Sequence, residues 1–354
     1  MTLETVRVPV VELTDVVTRI FAAAGADGQE AVRIAVNLVE TNLAGHDSHG
    51  VVRVPRYVQY ARDGFVRYGV QAEVALDTGP LVVLDGHLGF GQSLGHEVVE
   101  MGVERARAFG VAGVALRRAG HLGRIGAWGE DAAAAGIVSV HFVNVGRSAL
   151  VAPFGGAERR MSTAPVCVTI PDGDRPFVLD FATSRVAEGK VLMAHAGGPP
   201  VPEGALVDGE GRPSADPFSL YGEVPEGQVP DPRRGPGALT AMGDHKGSGL
   251  ALACELLAGA LTGSGATSAE DGAYNGWLAF FLDPERLNEG WGAAVHDYVE
   301  WVRAASPAAG HDAVLVPGDK ERATRAERIA NGVPLPPATW DAIRATAREL
   351  GVKT

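Results

Sequence analysis

The sequence is short of the features that mark several protein classes. Only two of its 354 residues are cysteine, Cys167 and Cys254, each inside an apolar run. A disulfide framework is therefore excluded, and buried free thiols in a reducing compartment are expected. No basic run exceeds a pair such as Arg117-Arg118 or Arg233-Arg234, and the formal net charge is −12. Those figures argue against nucleic acid and anionic membrane as partners, since both demand a basic face. The longest apolar stretch, Gly249 to Leu261, contains Glu255 and is too short to span a bilayer. Glu4, Arg7 and Glu12 stand where a signal peptide would place a cationic start and an apolar block, so a cytoplasmic protein is expected. There is no Walker pattern. The run Gly86-His87-Leu88-Gly89-Phe90-Gly91, after the first strand of the sheet region, lacks the G-x-G-x-x-G spacing of a conventional dinucleotide fold.

What is present suits a globular protein of one large or two smaller domains: 46% of residues are hydrophobic, 21% charged, and 47 are glycine. The first 62 residues read as helix. Val16, Val17, Ile20 and Phe21 recur at helical spacing up to Gly25, and Asp27 opens a second helix with Glu30 at the capping-box position. Pro55 makes a third helix, Gly50 to Ala61, start late or kink. From about residue 80 the period changes. Strands are predicted at 81–84, 111–116, 137–144, 166–170, 177–181, 277–283 and 314–316, and helices at 93–109, 128–135 and 250–261 (the last buried). Alternating strands and helices predict an α/β sheet with parallel pairs. Residues 197–237, rich in Gly and Pro, read as a long ordered loop or flap. The chain closes on a helix at 339–350, with Thr339 as its N-cap and Gly351 as its stop.

The most informative stretch is Ser48-His49-Gly50-Val51-Val52-Arg53-Val54. His49 can carry a proton near neutral pH, and Arg53 presents a fixed fork that matches a carboxylate. On a helix they would share a face with Tyr57, suiting a small organic acid whose neighbouring oxygen gains or loses a proton. Ser48 could instead cap the helix that follows. Gly243 to Gly249, with Lys246 and Gly247 at the mouth of a helix, is the better phosphate candidate; a plain turn with a solvated lysine is the alternative. Gly120-His121-Leu122-Gly123 follows a strand on the side where open sheets bind ligands, and Asp180-Phe181-Ala182-Thr183-Ser184 ends another. His46 and His49 could share a metal, with His121 or His245 as third ligand, which would make a metal-dependent hydrolase.

Taken in order, these pieces resemble the malate/L-lactate dehydrogenase family of NAD(P)H-dependent oxidoreductases that lack the Rossmann fold. The resemblance runs from Gly45-His46-Asp47-Ser48-His49-Gly50 through Asp85-Gly86, Gly120 to Gly123, Ala152 to Gly156, Thr163-Ala164-Pro165, Asp180 to Ser184, Gly189-Lys190-Val191 and Gly243 to Gly249 to Pro317-Gly318-Asp319 with Arg322. It implies an α/β fold with a mixed sheet wrapped by helices and a helical N-terminal region. It also implies a helical substrate and dimerisation domain (1–75 with 286–354), a cofactor-binding domain (76–285), and a homodimer. By the same resemblance His49 is the acid/base, Ser48 holds the reacting group, and His121 is a second proton-transfer candidate beside the nicotinamide. Arg53, Tyr57 and Thr163 would face the carboxylate substrate. His121, Leu122, Gly123, Asp180, Phe181, Ala182, Thr183, Lys246, Gly247, Gly318, Asp319 and Arg322 would line NAD or NADP, and no metal is implied. Arg117, Arg118 or Arg124 would favour a 2′-phosphate. The chain departs from the family pattern at Arg117-Arg118-Ala119, and with Ala164 for Asn, Ser248 for an aromatic residue and Asp319 for Glu. The expected activity is hydride transfer between nicotinamide and a small 2-hydroxy/2-oxo acid or cyclic imino acid; a non-catalytic dinucleotide-binding relative is the alternative.

Overall fold

The computed structural model describes residues 5–225, 230–270 and 274–354. The chain opens with β1 (Val6–Val8), α1 (Val10–Ala24), α2 (Gly28–Leu43) and α3 (Val54–Arg62). Helix α1 buries Leu13, Val16, Val17, Ile20 and Phe21 and stops at Gly25 in the left-handed conformation. Asp27 caps α2 by accepting from the Gln29 and Glu30 backbone N–H groups, a contact worth about 1 kcal/mol. Glu30 does not complete a capping box, because its carboxylate accepts instead from the Gly69 N–H at 2.9 Å. These helices share one apolar core with Val333, Leu335, Ile343 and Ala347, so both ends of the chain build it.

The central region begins with β2 (Glu73–Asp77), β3 (Leu81–Asp85), α4 (Gly91–Phe109), β4 (Val111–Ala119), α5 (Ile125–Ala134), β5 (Val138–Gly146), β6 (Pro165–Ile170) and β7 (Phe177–Ala182). After α6 (Glu188–His195) come β8 (Leu206–Val207), β9 (Pro213–Ser214), α7 (Phe218–Tyr221) and β10 (Ala238–Leu239). Helix α8 (His245–Cys254) runs on into a π-helical stretch, Glu255–Leu261, before β11 (Tyr274–Leu282). The chain then finishes with α9 (Trp291–Arg303), α10 (Asp319–Asn331), β12 (Val333–Leu335) and α11 (Pro337–Glu349).

Among the described residues the main sheet has the order β2-β3-β4-β11-β5-β6-β7. It is mixed, as the family resemblance implies, and only β3 and β4 form a parallel pair. The broader expectation of parallel pairs fails for a topological reason. Strands β4 and β5 do run the same way, but the α5 crossover leaves a gap between them. Strand β11 fills it, antiparallel to both. One core packs against the face covered by α4 and α5, with Trp128, Trp277 and Phe281 fully buried.

The segment 197–237 is no free flap. Its β8 pairs with both β9 and β10 in a small sheet, and Val201, Ala205, Leu206, Leu220 and Tyr221 are buried in a third core; residues 226–229 of the expected loop lie outside the described residues. The helix expected at 250–261 starts earlier and is buried on one side only, since Leu252, Leu256 and Leu261 are exposed. Residues 314–316 form no strand; Pro317 instead accepts from the Val178 N–H of β7 at 3.2 Å. Helix α11 is preceded by Pro336, so Thr339 lies inside it and not at the cap, while Gly351 does follow its end with positive φ. Sequence periodicity did not reveal β1, β12, α9 or α10, whose pairing or burial is too slight to impose a pattern. Cys167 and Cys254 are free and buried. No described helix is long and apolar enough to cross a membrane.

Candidate active site

The stretch that carries Ser48 and His49 is not a continuous helix. Two 3-10 turns, Asp47–His49 and Val51–Arg53, are separated by Gly50 and followed by α3, where Pro55 sits in the first turn and needs no N–H partner. Asn42 of α2 pins the break. Its side chain donates to Asp47 at 2.6 Å and accepts from the Val51 N–H at 2.7 Å. A Cβ on Gly50 would lie 2.1 Å from the Asn42 side chain, so glycine is required there. Ser48 is not a cap; its hydroxyl lies 2.9 Å from His49 Nδ1. Arg53 donates through Nε to the Ser48 carbonyl at 2.6 Å, which leaves the rest of its fork free.

These side chains face a cavity of about 280 Å³ between the N-terminal helices and the β5-β6-β7 part of the sheet. On the helical side lie His46, Ser48, His49, Arg53, Arg56 and Tyr57; across from them are Thr163, Asp180, Phe181 and Ala182, with His121 and Gly123 beside them. The rings of His49 and His121 stack at 22° with centroids 5.5 Å apart. Burial, then the positive charge of Arg53, pushes the His49 pKa well below the usual histidine value, with His121 and His46 adding to it. Burial, then Arg53 and Arg56, pushes His121 down to about 3. Both rings are therefore neutral at physiological pH. His46 is not poised as a metal ligand but stands 3.4 Å from Glu321, whose carboxyl is lowered to about 2 by that contact first. Among the described residues no three His, Cys, Asp or Glu side chains are grouped to hold a metal.

His121 is held from several sides. Its backbone carbonyl accepts from Gln92 at 3.2 Å, and Leu122 N–H donates to Asn275 at 2.8 Å. The first residue of α4, Gly91, must be glycine because a Cβ there would come within 2.4 Å of the His121 carbonyl oxygen. Asp180 is raised in pKa chiefly by burial, a shift opposed by Arg124. One of its oxygens accepts from the Gly126 N–H at the start of α5, at 2.7 Å. Arg124 itself is buried and paired with both oxygens of Glu130 at 2.8 and 2.7 Å, while its Nε stands 3.9 Å from Asp180 with no hydrogen-bond partner among the described residues.

The remaining expected residues do not line the cavity. Thr183 is fully buried and donates to the Thr163 and Ala164 carbonyls, fixing that turn. Leu122 is in the core. Lys246 is exposed and Gly247 buried on α8, joined to the site through Met242 N–H, which donates to Thr183 O at 2.8 Å. Gly318 caps α10 in the left-handed conformation. Asp319 pairs with Arg303 and Arg322, and Arg322 also donates to Pro176 O. That knot lies along the start of β7, one residue from Glu321 and thus beside His46. Arg117 and Arg118 are both committed to the buried Asp85 away from the cavity, and Arg124 to Glu130, so none is a free charge for a 2′-phosphate. The sequence reading missed Arg56, Ser148 and Glu188 in the cavity wall. Arg56 was findable, one helical turn from Arg53, and so was Glu188, next to Gly189-Lys190-Val191; Ser148 carries no local signal.

A nicotinamide group fits this site on its donor set. An apolar wall including Ile125, Leu150 and Pro165 faces two neutral imidazoles, and half-buried Asp180 supplies a polar contact for an amide. The volume matches a nicotinamide ring with a small acid, so the rest of a dinucleotide must lie outside.

Residues 8–344 match the model of a protein family described as malate/L-lactate dehydrogenase. The chain belongs to that family. It is 39% identical to hydroxycarboxylate dehydrogenase B of Escherichia coli K12 over 94% of this chain and 91% of that one. It is 38% identical to an L-lactate dehydrogenase of Cupriavidus necator over 94% and 95%. The solved delta1-piperideine-2-carboxylate reductase of Pseudomonas syringae pv. tomato superposes with a TM-score of 0.83 at 27% identity, covering 97% of this chain and all of the other. Family membership displaces the metal-dependent hydrolase built on His46 and His49.

Proposed function

We propose that this malate/L-lactate dehydrogenase family member is an NAD(P)-dependent oxidoreductase of small 2-hydroxy and 2-oxo acids, with His49 as the proton carrier and Arg53 as the carboxylate clamp. The observation that carries the assignment is one cavity holding a neutral imidazole beside a guanidinium fork with no carboxylate partner among the described residues.

In the oxidative direction His49, neutral and held by Ser48 at Nδ1, takes the hydroxyl proton on Nε2. Arg53 fixes the substrate carboxylate in a two-pronged contact that sets the reacting carbon and oxygen relative to the ring. Arg56, one turn along α3, makes no hydrogen bond or ion pair with a described residue and adds to the positive field at the cavity. A bound nicotinamide supplies the hydride on reduction and receives it on oxidation. In the reductive direction the arriving carboxylate neutralises Arg53, one of the charges that hold His49 deprotonated. Substrate binding thereby raises the His49 pKa at the moment a proton is needed. A cyclic 2-imino acid presents the same carboxylate and a nitrogen in place of the oxygen, so the same groups serve it.

In this division of labour the helical region handles the acid and the sheet presents the cofactor face, with Asp180, Phe181 and Ala182 against the nicotinamide. Gly318 to Arg322 and the turn around Lys246 would meet the outer parts of the dinucleotide. The proposal has the protein working in the cytoplasm as a homodimer; Leu252 and Leu256, exposed one turn apart, are apolar surface of the kind a second copy covers. The test is a reductase screen of 2-oxo acids and cyclic imino acids with NADH and NADPH, following the absorbance of the reduced nicotinamide. Turnover of at least one carboxylate-bearing substrate, lost when the carboxylate is esterified, is expected. Dinucleotide binding without turnover of any substrate in the panel would favour the non-catalytic alternative.

A further inference from the structure

We propose that Tyr57 acts through His121 and not on the substrate, wiring that imidazole as a permanent hydrogen-bond donor to the reacting oxygen through Nε2–H. The proposal deepens, and rests on, the assignment of His49 as the proton carrier.

Hydrogen-bond direction decides the wiring. A backbone N–H can only donate, and that of Gly123 donates to His121 Nδ1 at 3.3 Å. A ring nitrogen that accepts carries no proton, so in the neutral imidazole the proton sits on Nε2. The Tyr57 hydroxyl is 2.6 Å from the same Nδ1 and must therefore donate to it as well. Its oxygen is then left to accept, and Gln92 Nε2 stands 3.4 Å away with hydrogens to give. Gln92 uses the same group to donate to the His121 carbonyl. The polarities agree throughout, from Gln92 N–H to Tyr57 O–H to His121 Nδ1. The opposite tautomer would set an Nδ1–H against the Gly123 N–H.

The surroundings keep the wire in this state. Burial and the positive charges of Arg53 and Arg56 oppose protonation of His121, and the neighbouring His49 ring is itself neutral. Burial raises the Tyr57 phenol to about 12, so it remains a donor across the physiological range.

Two stacked histidines thus have different duties. His49 gives up and regains a proton, while His121 keeps its own and stabilises charge that builds on the substrate oxygen. The two rings stack at 22° with centroids 5.5 Å apart and both line the cavity, so one substrate oxygen bound there is presented to both imidazoles. Tyr57, at 3% exposure with its hydroxyl shared between His121 and Gln92, is a positioning residue.

The experiment is long-range nitrogen NMR on cofactor-free protein carrying 15N-histidine, for wild type, His121→Gln and Tyr57→Phe. The wild-type signals absent from His121→Gln should show a protonated Nε2 and a bare Nδ1, unchanged between about pH 8 and about pH 5. In Tyr57→Phe the same ring should show mixed tautomers or titrate closer to the usual histidine value. Its kcat should drop about tenfold in both directions, with KM for the acid within about twofold of wild type. A wild-type His121 protonated on Nδ1, or titrating near neutrality, overturns the proposal, and that spectrum decides even if Tyr57→Phe does not fold. A Tyr57→Phe enzyme with unchanged tautomer and a raised KM also overturns it. Normal activity in His49→Gln would sink the proton-carrier assignment while leaving the His121 tautomer where it is, so the two failures are distinguishable.

Discussion

Raising the pH from about 6.5 to about 8.5 should lower kcat/KM for 2-oxo acid reduction about a hundredfold, while kcat/KM for hydroxy acid oxidation stays within about threefold. His49 is half-buried in the cavity wall, and desolvation there, with Arg53, His121 and His46 adding to it, holds its pKa well below the usual value. Across the whole interval the free enzyme therefore carries His49 as neutral imidazole, the form that accepts a proton from a hydroxyl. The imidazolium needed for reduction becomes tenfold scarcer with each unit of pH. Thermodynamics provides a check, because reduction consumes one proton. The ratio of the two kcat/KM values must therefore change tenfold per unit whatever the mechanism. What the enzyme decides is which direction carries the change, and a depressed pKa assigns it to reduction. Initial rates in both directions, in buffers of constant ionic strength and at subsaturating acid, measure it. A flat reductive profile with an oxidative rate that climbs through the same interval would place the essential pKa above the range and refute the reasoning.

Replacing Arg53 with Gln removes the carboxylate clamp and the largest charge pressing on His49, so KM for the acid should rise and the acidic limb of the oxidative profile should move to higher pH; a limb that stays in place would separate the two residues. Gly50→Ala puts a methyl into the Asn42 side chain that pins the catalytic turn, and should cost about 1–3 kcal/mol in denaturant unfolding together with most of the activity. His141 is fully buried, with Nε2 2.9 Å from Ser139 and Nδ1 accepting from Trp277, and burial lowers it to about 3. Because the folded state refuses a proton that the unfolded state binds below about pH 6.5, His141 removes about 1.4 kcal/mol of stability per pH unit as the pH falls from there toward 3. His141→Gln should flatten that part of the stability profile, as followed by urea unfolding at several pH values.

How much of this was legible in the sequence differed from element to element. Helices α1 and α2 were plain because each buries a stripe at helical spacing, and Asp27 announced its cap. The sheet's strands were visible one by one, but their order was not. Nothing local in Tyr274–Leu282 says that it slots between β4 and β5, more than a hundred residues earlier. Within the site, Ser48, His49 and Arg53 could be read because they lie within a few residues, and His121 and Asp180 because they end strands. The interruption at Gly50 was hidden, since it depends on Asn42 of another helix. So was the fate of the Tyr57 hydroxyl, whose partners Gln92 and His121 arrive from α4 and from the end of β4. The pairing of the outlying Asp319 with Arg303 and Arg322, and of Arg322 with the Pro176 carbonyl, was equally hidden, because these partners come from separate segments of the chain.

The most direct measurement compares His49→Gln with the wild type for kcat in both directions and for nicotinamide affinity by fluorescence titration. If His49 moves the proton, kcat falls about 10²–10⁴-fold while the dissociation constant for the cofactor stays within about threefold. Turnover within about tenfold of wild type, or a loss confined to cofactor affinity, would contradict the account.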